Sequence, residues 1–171
     1  GQGGRQGNLS FGMAGRGHRT IAHGIPEGDD LSFLLRALDA GGVLIEPEVE
    51  IVRELGLHGF LAEDGSLETG VPVEQRSDAR GQWSSSRLFD PATESSLGEL
   101  SALHAELHRV ARALYEAGYH GPFGIDAFLY LNAEGAAAFQ PRSEINARFS
   151  MGFPIGFGKL TSRAMPCATR R

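Results

Sequence analysis

The chain has 171 residues, of which 41% are hydrophobic and 22% are charged, and this composition predicts a globular protein rather than a disordered one. The net charge of -5 at pH 7 argues against the broad basic surface of nucleic-acid-binding proteins, and the single cysteine excludes an internal disulfide. We expect a soluble, cytoplasmic protein, because no apolar run approaches the ~20 residues of a membrane span and the start lacks a signal-peptide pattern.

The beginning of the chain predicts a hairpin of two short strands. Residues 1–8 are mostly glycine, glutamine and arginine, and we predict a disordered or truncated start there. Apolar and β-branched residues at 9–14 and 19–23 predict strands on either side of a glycine-containing turn at 15–17.

A helix and a third strand complete the predicted N-terminal part. Leucines at helical spacing follow Asp29 and Asp30, either of which can cap a helix that ends at Gly41. Residues 43–45 are apolar and predict a short buried strand. We therefore predict a partial N-terminal lobe over residues 9–49.

The stretch 50–160 predicts a second lobe built on an antiparallel sheet. From residue 51 to about residue 88, strand patterns alternate with turns at 64–65 and 77–81, which is typical of an antiparallel meander.

A long amphipathic helix and a last strand pair follow the meander. Leucines and a valine recur every three or four residues, which predicts a helix from about Glu94 to a stop at Gly118. Residues 121–131 and 136–145 predict two strands joined by a short turn, and residues 161–171 form a tail. The predicted fold class is therefore α+β.

Three oxygen-bearing side chains on the last strand pair suit a hard divalent cation. Asp126 lies on the first of these strands, and Glu144 and Asn146 lie on the second. Magnesium is usually held by one or two carboxylates while nucleotide phosphates complete its shell. A regular hairpin would leave Glu144 roughly 10 Å from Asp126 along the strand, so the site requires a β-bulge, for which Pro141 is a plausible position. The alternative is a hairpin whose polar residues face water.

The turn Gly15-Arg16-Gly17 is a second candidate site. Glycine allows the backbone to approach a phosphate closely, and Arg16 and Arg19 can pair with phosphate oxygens. The alternative interpretation is an ordinary tight turn.

The acidic stretch from Glu46 to Glu50 is a third candidate. An apolar strand leads into it, and Glu54 follows. Such a strand end can present backbone groups to an adenine while a carboxylate binds the ribose hydroxyls. The alternative is an exposed acidic linker.

In this order, the motifs resemble the ATP-grasp superfamily, and specifically its ATP-dependent carboxylate-amine ligases, over about residues 8–152. The most specific part is G-Y-H-G-P-F-G-I-D-A-F followed by S-E-I-N-A-R-F-S-M-G, which looks like the family's magnesium-binding strand pair and its adjoining loop. The resemblance implies a two-lobed α+β fold, with ATP between a small N-terminal lobe and an antiparallel sheet backed by the long helix.

The resemblance also implies individual roles. Asp126 would hold one of two Mg²⁺ ions, Glu144 would bridge both, and Asn146 would hold the second. Arg148 matches a position near the reacting phosphate and is the implied catalytic residue. The implied nucleotide contacts are the loop Gly15, Arg16 and Gly17 over the phosphates, the hinge residues Glu46, Glu48 and Val49 at the adenine, and Glu54 at the ribose.

The implied reaction is the phosphorylation of a carboxylate by ATP to an acyl phosphate, which an amine then attacks to give an amide. Its partners would be small-molecule carboxylate and amine substrates, without nucleic acid or membrane. Family members usually carry a lysine a few residues before the glycine loop, whereas residues 8–11 have none and the only lysine is Lys159. We therefore expect the chain to be part of a longer or partial enzyme. The alternative, which the missing lysine favours, is a degenerate, non-catalytic nucleotide-binding module. A third alternative is a structural α+β domain without a ligand.

Overall fold

A computed structural model provides the structure of the protein. It describes residues 5–9, 18–21, 24–77, 83–90 and 97–158. The chain divides into two compact units, one formed by Gly1–Glu50 with Ser77–Ser84 and the other by Ile51–Arg76 with Ser85–Arg171. The predicted limits of the lobes and of the tail stay predictions.

The first unit contains a three-stranded antiparallel sheet in the order β2-β1-β3 and one helix. Its elements in chain order are β1 (Arg5–Leu9), β2 (His18–Ile21), α1 (Gly28–Asp39) and β3 (Val43–Pro47). β1 and β2 form an antiparallel pair, and β1 begins at Arg5, inside the stretch 1–8 that we predicted to be a disordered or truncated start. Of the first strand predicted at 9–14, the structure describes residue 9 alone, so the predicted hairpin stays a prediction. The turn at 15–17 lies outside the described residues.

Helix α1 confirms the predicted helix but not its predicted cap. Glu27 precedes the helix and makes no capping bond with its side chain, so neither Asp29 nor Asp30 is the cap. Both aspartates lie in the first turn, where negative charge favours the helix dipole. Asp30 Oδ1 also accepts a hydrogen bond from Arg19 Nε at 2.6 Å.

The apolar residues of this unit are less buried than their pattern predicts. Leu35 and Leu38 on α1 are more than half exposed, and Ala37 is the buried residue of the helix. The prediction of a buried strand at 43–45 was wrong for Ile45, which is 49% exposed.

A six-stranded sheet in the order β7-β6-β4-β8-β9, with β5 paired to β4, has most of its residues in the second unit. The elements are β4 (Glu50–Leu61), β5 (Leu67–Thr69), β6 (Val73–Ser77), β7 (Trp83–Leu88), α2 (Leu97–Glu116), β8 (Gly121–Leu131), β9 (Ala137–Asn146) and α3 (Phe153–Phe157). The pairs β4–β5, β4–β6 and β8–β9 are antiparallel, as predicted.

The core lies between α2 and one face of this sheet. Alternate residues of β4 and β8 point toward the helix, as expected for a strand with one buried face. The core residues are Leu55, Leu57, Leu61, Phe89, Leu103, Leu107, Val110, Ala111, Phe123, Ile125 and Ala127. The α+β fold, with an antiparallel sheet packed against a long helix, is therefore confirmed.

The end of α2 also agrees with the sequence. Gly118 has a φ of +81°, a conformation that favours glycine, and the N–H of Tyr119 donates to the carbonyl of Leu114 at 2.9 Å. None of the described helices combines the length and hydropathy that a transmembrane segment needs.

An ion-pair cluster joins α2 to β9. Glu106 accepts hydrogen bonds from Arg109 one turn along the helix and from Arg142 Nε of β9, the latter at 2.6 Å. Its side chain is 14% exposed. The hydrogen bond from Arg109, followed by that from Arg142, lowers the pKa of Glu106 to about 2.

Glu106→Gln should therefore lower the free energy of unfolding at pH 7 by about 1–2 kcal/mol, a modest value because water screens the mostly exposed Arg109. A carboxylate with a lowered pKa stabilises the fold above its usual pKa of 4.5, and this contribution is lost as the pH falls toward 2. Urea unfolding of both proteins at pH 7, 4 and 3 checks this, and the difference should shrink with the pH. A difference that stays constant with pH would contradict the ion-pair assignment.

Candidate functional site

The predicted metal ligands Asp126, Glu144 and Asn146 come together at the β8–β9 pair. Asp126 pairs directly with Glu144, and Gly124 pairs with Asn146. Asn146 Nδ2 donates to Asp126 Oδ2 at 2.8 Å, and Asn146 is 6% exposed. The neighbouring Ile125 is buried in the core. Because side chains alternate along a strand, Asp126 points to the face of the sheet opposite α2.

The β-bulge that this arrangement requires is present at Pro141. Phe128 pairs with Gln140 whereas Asp126 pairs with Glu144, so residues 141–143 of β9 lie opposite Ala127 alone. Next to the turn, the pairing of β8 with β9 differs by one residue from the predicted pairing. At the bulge, the pairing shifts by a further two residues along β9. The predicted bulge is therefore confirmed, and it places Glu144 opposite Asp126.

The carboxylate of Asp126 is surrounded by amide donors and by negative charge. Gln75 Nε2 donates to Oδ1 at 2.6 Å, while Asn146 donates to Oδ2. Burial raises the pKa of Asp126 to about 6; the charges of Glu144 and Glu54 add to the rise, and the hydrogen bonds from Gln75 and Asn146 oppose it. A cation beside this group would offset the cost of its charge.

Gln75 was not predicted from the sequence. It lies on β6, 51 residues before Asp126, and no motif spacing links the two. Its side chain crosses β4 at Gly56, where an added Cβ would lie 2.7 Å from Gln75 Nε2. Glycine at this position therefore leaves the space through which Gln75 reaches Asp126.

Gly56→Ala should displace Gln75 from Asp126 and weaken the binding of Mg²⁺ with a nucleotide about 10-fold, as expected when a group that orients a metal ligand is moved. Calorimetric titration with Mg²⁺ and a non-hydrolysable ATP analogue measures this. Gly98→Ala is the matched control, because an added Cβ at Gly98 meets nothing within 4 Å. Equal affinities of the two variants would contradict the orienting role of Gln75.

Glu54 lies beside Gln75 and acts electrostatically on Asp126. Glu54 and Gln75 pair across β4 and β6. Both Glu54 and Gln75 border an open cavity of about 260 Å³. The lining residues are Ile51, Val52, Arg53, Glu54, Glu74, Gln75 and Arg76. The ribose contact stays a prediction.

The remaining predicted nucleotide contacts lie in the first unit or outside the described residues. Glu46 is in β3, and Glu48 and Val49 follow it. Their contact with adenine stays a prediction. Gly15, Arg16 and Gly17 lie outside the described part of the chain.

Arg148 follows β9 on an exposed loop that His58 anchors to the sheet. Arg148 Nη1 donates to the backbone oxygen of Phe149 at 3.3 Å, and its catalytic role stays a prediction.

His58 Nε2 lies 2.8 Å from Ser150 Oγ. Burial lowers the pKa of His58 to about 4, so this histidine is neutral at pH 7. An added Cβ on Gly124 or Gly152 would lie 2.8 Å from its ring, which explains the glycines there.

The residues at the β8–β9 pair fit magnesium rather than a metal held by protein ligands alone. In the described ranges, no three side chains of His, Cys, Asp or Glu are grouped as a metal site. Two carboxylates and one amide match the partial shell that Mg²⁺ takes from a protein when phosphates and waters supply the rest. Asn146 uses its Nδ2 on Asp126, which leaves its Oδ1 available as a ligand.

Solved structures of three enzymes are similar to this chain. N5-carboxyaminoimidazole synthetase from Staphylococcus aureus, complexed with ADP, has a TM-score of 0.58 and 12% identity over 95% of this chain and 42% of its own. Biotin carboxylase from Campylobacter jejuni, in a βγ-ATP complex, has a TM-score of 0.60 and 15% identity over 91% of this chain and 33% of its own. The biotin carboxylase domain of 2-oxoglutarate carboxylase from Hydrogenobacter thermophilus, with MgADP and bicarbonate, has a TM-score of 0.57 and 18% identity over the same shares.

The chain therefore has a partial ATP-grasp fold.

This partial ATP-grasp fold spans 33% to 42% of the length of the three enzymes. No protein-family model matches the chain, and neither does any curated protein sequence. The likeness is one of fold, at identities of 12% to 18%. The predicted resemblance to ATP-grasp enzymes is confirmed at that level.

Proposed function

We propose that the chain is the magnesium- and nucleotide-binding part of an ATP-dependent ligase that joins a small carboxylate to an amine. The observation that carries this proposal is the bulge in β9, which sets Glu144 opposite Asp126 with Asn146 hydrogen-bonded beside them. The fold supports it, because similar enzymes have been solved with ADP and with MgADP and bicarbonate.

In this proposal, the three metal-binding side chains would have different roles. Asp126 would hold one Mg²⁺, Glu144 would bridge it to a second, and Asn146 would hold the second through Oδ1. Bound Mg²⁺ would neutralise charge on the transferred phosphoryl group. Gln75 would keep the Asp126 carboxylate oriented, as supporting residues do at metal sites.

The substrates would then react in two steps. A carboxylate oxygen of the first substrate attacks the γ-phosphorus of ATP, and ADP leaves. The amine nitrogen of the second substrate attacks the carbonyl carbon of the acyl phosphate, phosphate leaves, and the nitrogen loses a proton. The chain's contribution is to align these groups, and Arg148 is our candidate for binding the phosphoryl oxygens.

Calorimetric titration with a non-hydrolysable ATP analogue, with and without Mg²⁺, tests the proposed site. We expect binding that requires Mg²⁺, and a rise in melting temperature that corresponds to about 2.7 kcal/mol at a ligand concentration 100 times Kd. The absence of binding, or binding that EDTA does not change, would refute the proposal.

A second candidate function is a nucleotide-binding module without turnover. The absence of a lysine at residues 8–11 favours it, because ATP-grasp ligases usually carry a phosphate-binding lysine a few residues before the glycine loop. A coupled assay of ADP release, with bicarbonate or pooled amino acids as substrates, separates the two. ADP release that depends on a carboxylate supports the ligase, and nucleotide binding without release supports the module.

A further inference from the structure

In either of two registers of β9 against β8, Glu144 and Asn146 would lie on the face of the sheet that carries Asp126. In the observed register, Glu144 pairs with Asp126. Continuing the pairing of Phe128 with Gln140 without a bulge would instead set Arg142 opposite Asp126. The two registers differ by two residues, roughly 7 Å along the strand. Because side chains alternate between faces, a shift of two keeps each ligand on its face, and the hydrophobic pattern does not select the bulged register.

Arg142 makes a contact that is available only in the bulged register. In a regular strand Arg142 would share the face of Asp126, which points away from α2. In the bulge it turns to α2, where its Nε donates to Glu106 Oε1 at 2.6 Å. Glu106 is 14% exposed and Arg142 is 37% exposed, so the pair is shielded in part from water. Beside it, Ser143 Oγ donates to the backbone oxygen of Asp126 at 3.0 Å, across the gap in the ladder.

We propose that the ion pair between Arg142 and Glu106 selects the bulged register and is thereby a positioning element of the magnesium site. This inference rests on the proposed function for its effect on ligand binding. Its effect on strand register is independent of any ligand. Arg142 and Glu106 are positioning residues, because they act through Glu144 and Asn146 and touch neither metal nor substrate.

The register can be read directly from isoleucine methyl groups. Ile125 and Ile145 are direct partners in the observed register, and directly opposed side chains have Cβ atoms about 5 Å apart. Without the bulge, Ile125 would pair with Ser143 and the two isoleucines would separate. We expect a methyl–methyl NOE between them in the isoleucine-labelled 171-residue protein. The NOE should be lost in Arg142→Gln and in Glu106→Gln.

Arg109→Gln is the matched control. Arg109 bonds to the same carboxylate but lies on α2, so its loss leaves the link to β9 in place. We expect this variant to keep the NOE. If Arg142→Gln does not fold, Arg142→Lys, which keeps the charge but lacks the guanidinium, should still weaken the NOE. An NOE of parental intensity in all folded variants would overturn the proposal.

Nucleotide affinity then tests the positioning role. We expect Arg142→Gln and Glu106→Gln to weaken the binding of Mg²⁺ with a non-hydrolysable ATP analogue about 10-fold, and Arg109→Gln to change it less than about 2-fold. Loss of the NOE with parental affinity would overturn the positioning role. A parent protein that shows the NOE but does not bind the nucleotide would refute the proposed function, and the NOE of the variants would then decide the register selection alone.

Discussion

Asp126→Asn should make the ligand-free protein more stable at pH 8, by about 1–2 kcal/mol, while strongly weakening its magnesium-dependent nucleotide binding. The stabilisation follows from the pKa of Asp126, which burial raises from 3.8 to about 6. A pKa shift of one unit corresponds to about 1.4 kcal/mol. The buried charge therefore lowers the free energy of unfolding of the parent above pH 6 by about 2–3 kcal/mol. Asparagine has the same shape but carries no charge. It therefore removes the cost of the charge and leaves only a neutral amide oxygen for the metal. Its Nδ2 would face the donor of Gln75 or of Asn146, which offsets about 1 kcal/mol of the gain in stability.

The sign of the pH dependence is a second feature of this prediction. A carboxyl group with a raised pKa is protonated more readily in the folded state, so the parent should lose stability as the pH rises from 4 through 6. The Asp126→Asn protein should lack this loss. Urea unfolding between pH 4 and pH 8, with and without Mg²⁺ and a non-hydrolysable ATP analogue, measures both effects.

When the ligand is added, the parent should become more stable than Asp126→Asn. Ligand binding stabilises the parent by mass action and should stabilise Asp126→Asn much less, because its metal ligand is a neutral amide. Asp64→Asn is the control, because Asp64 is exposed and its pKa is lowered by hydrogen bonds from Ser66, so its replacement should not stabilise the protein. Stabilisation of Asp126→Asn by the ligand to the same extent as the parent would remove Asp126 from the metal site.

Glu144→Gln should weaken magnesium-dependent nucleotide binding at least about 100-fold, the upper end of the loss seen when a group that supports a metal ligand is changed. Glu144 is exposed on β9, so its replacement should change the free energy of unfolding by less than about 0.5 kcal/mol. Calorimetric titration and urea unfolding measure the two quantities separately.

Glu134→Gln is the control for Glu144→Gln. It removes the same charge from the turn at the other end of the β8–β9 hairpin. We expect it to bind like the parent. If Glu134→Gln loses affinity as much as Glu144→Gln does, the effect comes from net charge and Glu144 does not bridge the metals.

The elements with strong local signals were predictable from the sequence. The leucine spacing of α2 and the stop at Gly118 come from helix geometry alone, and the β8–β9 strands are bounded by a clear turn. In the first unit, by contrast, Leu35 and Leu38 follow a helical pattern but are more than half exposed, because the pattern does not say what covers a face. Element type was therefore easier to predict than burial.

The bulge shows how far sequence reasoning extends at the site. Its existence was predictable, because Asp126 and Glu144 can share a cation only if the regular register is broken near Pro141. Its size was not, because the hairpin is one residue out of the predicted register, so a two-residue bulge is enough to cover the expected displacement of roughly 10 Å. The contact of Arg142 with Glu106 also depends on the tertiary structure, because the two residues lie 36 positions apart in the sequence. Gln75 was missed for the same reason, since only the folded sheet brings β6 within reach of Asp126.

The location of the metal is tested most directly by the paramagnetic broadening that Mn²⁺ causes in the presence of the ATP analogue, since this broadening falls steeply with distance. Asn132 is the internal reference, because it lies in the hairpin turn, roughly 26 Å along β8 from the end that holds Asn146. We predict that Mn²⁺ with nucleotide broadens the side-chain amide signals of Asn146 and Gln75, leaves those of Asn132 sharp, and is displaced by Mg²⁺. Sharp Asn146 signals, or equal broadening of Asn146 and Asn132, would contradict a metal site formed by Asp126, Glu144 and Asn146.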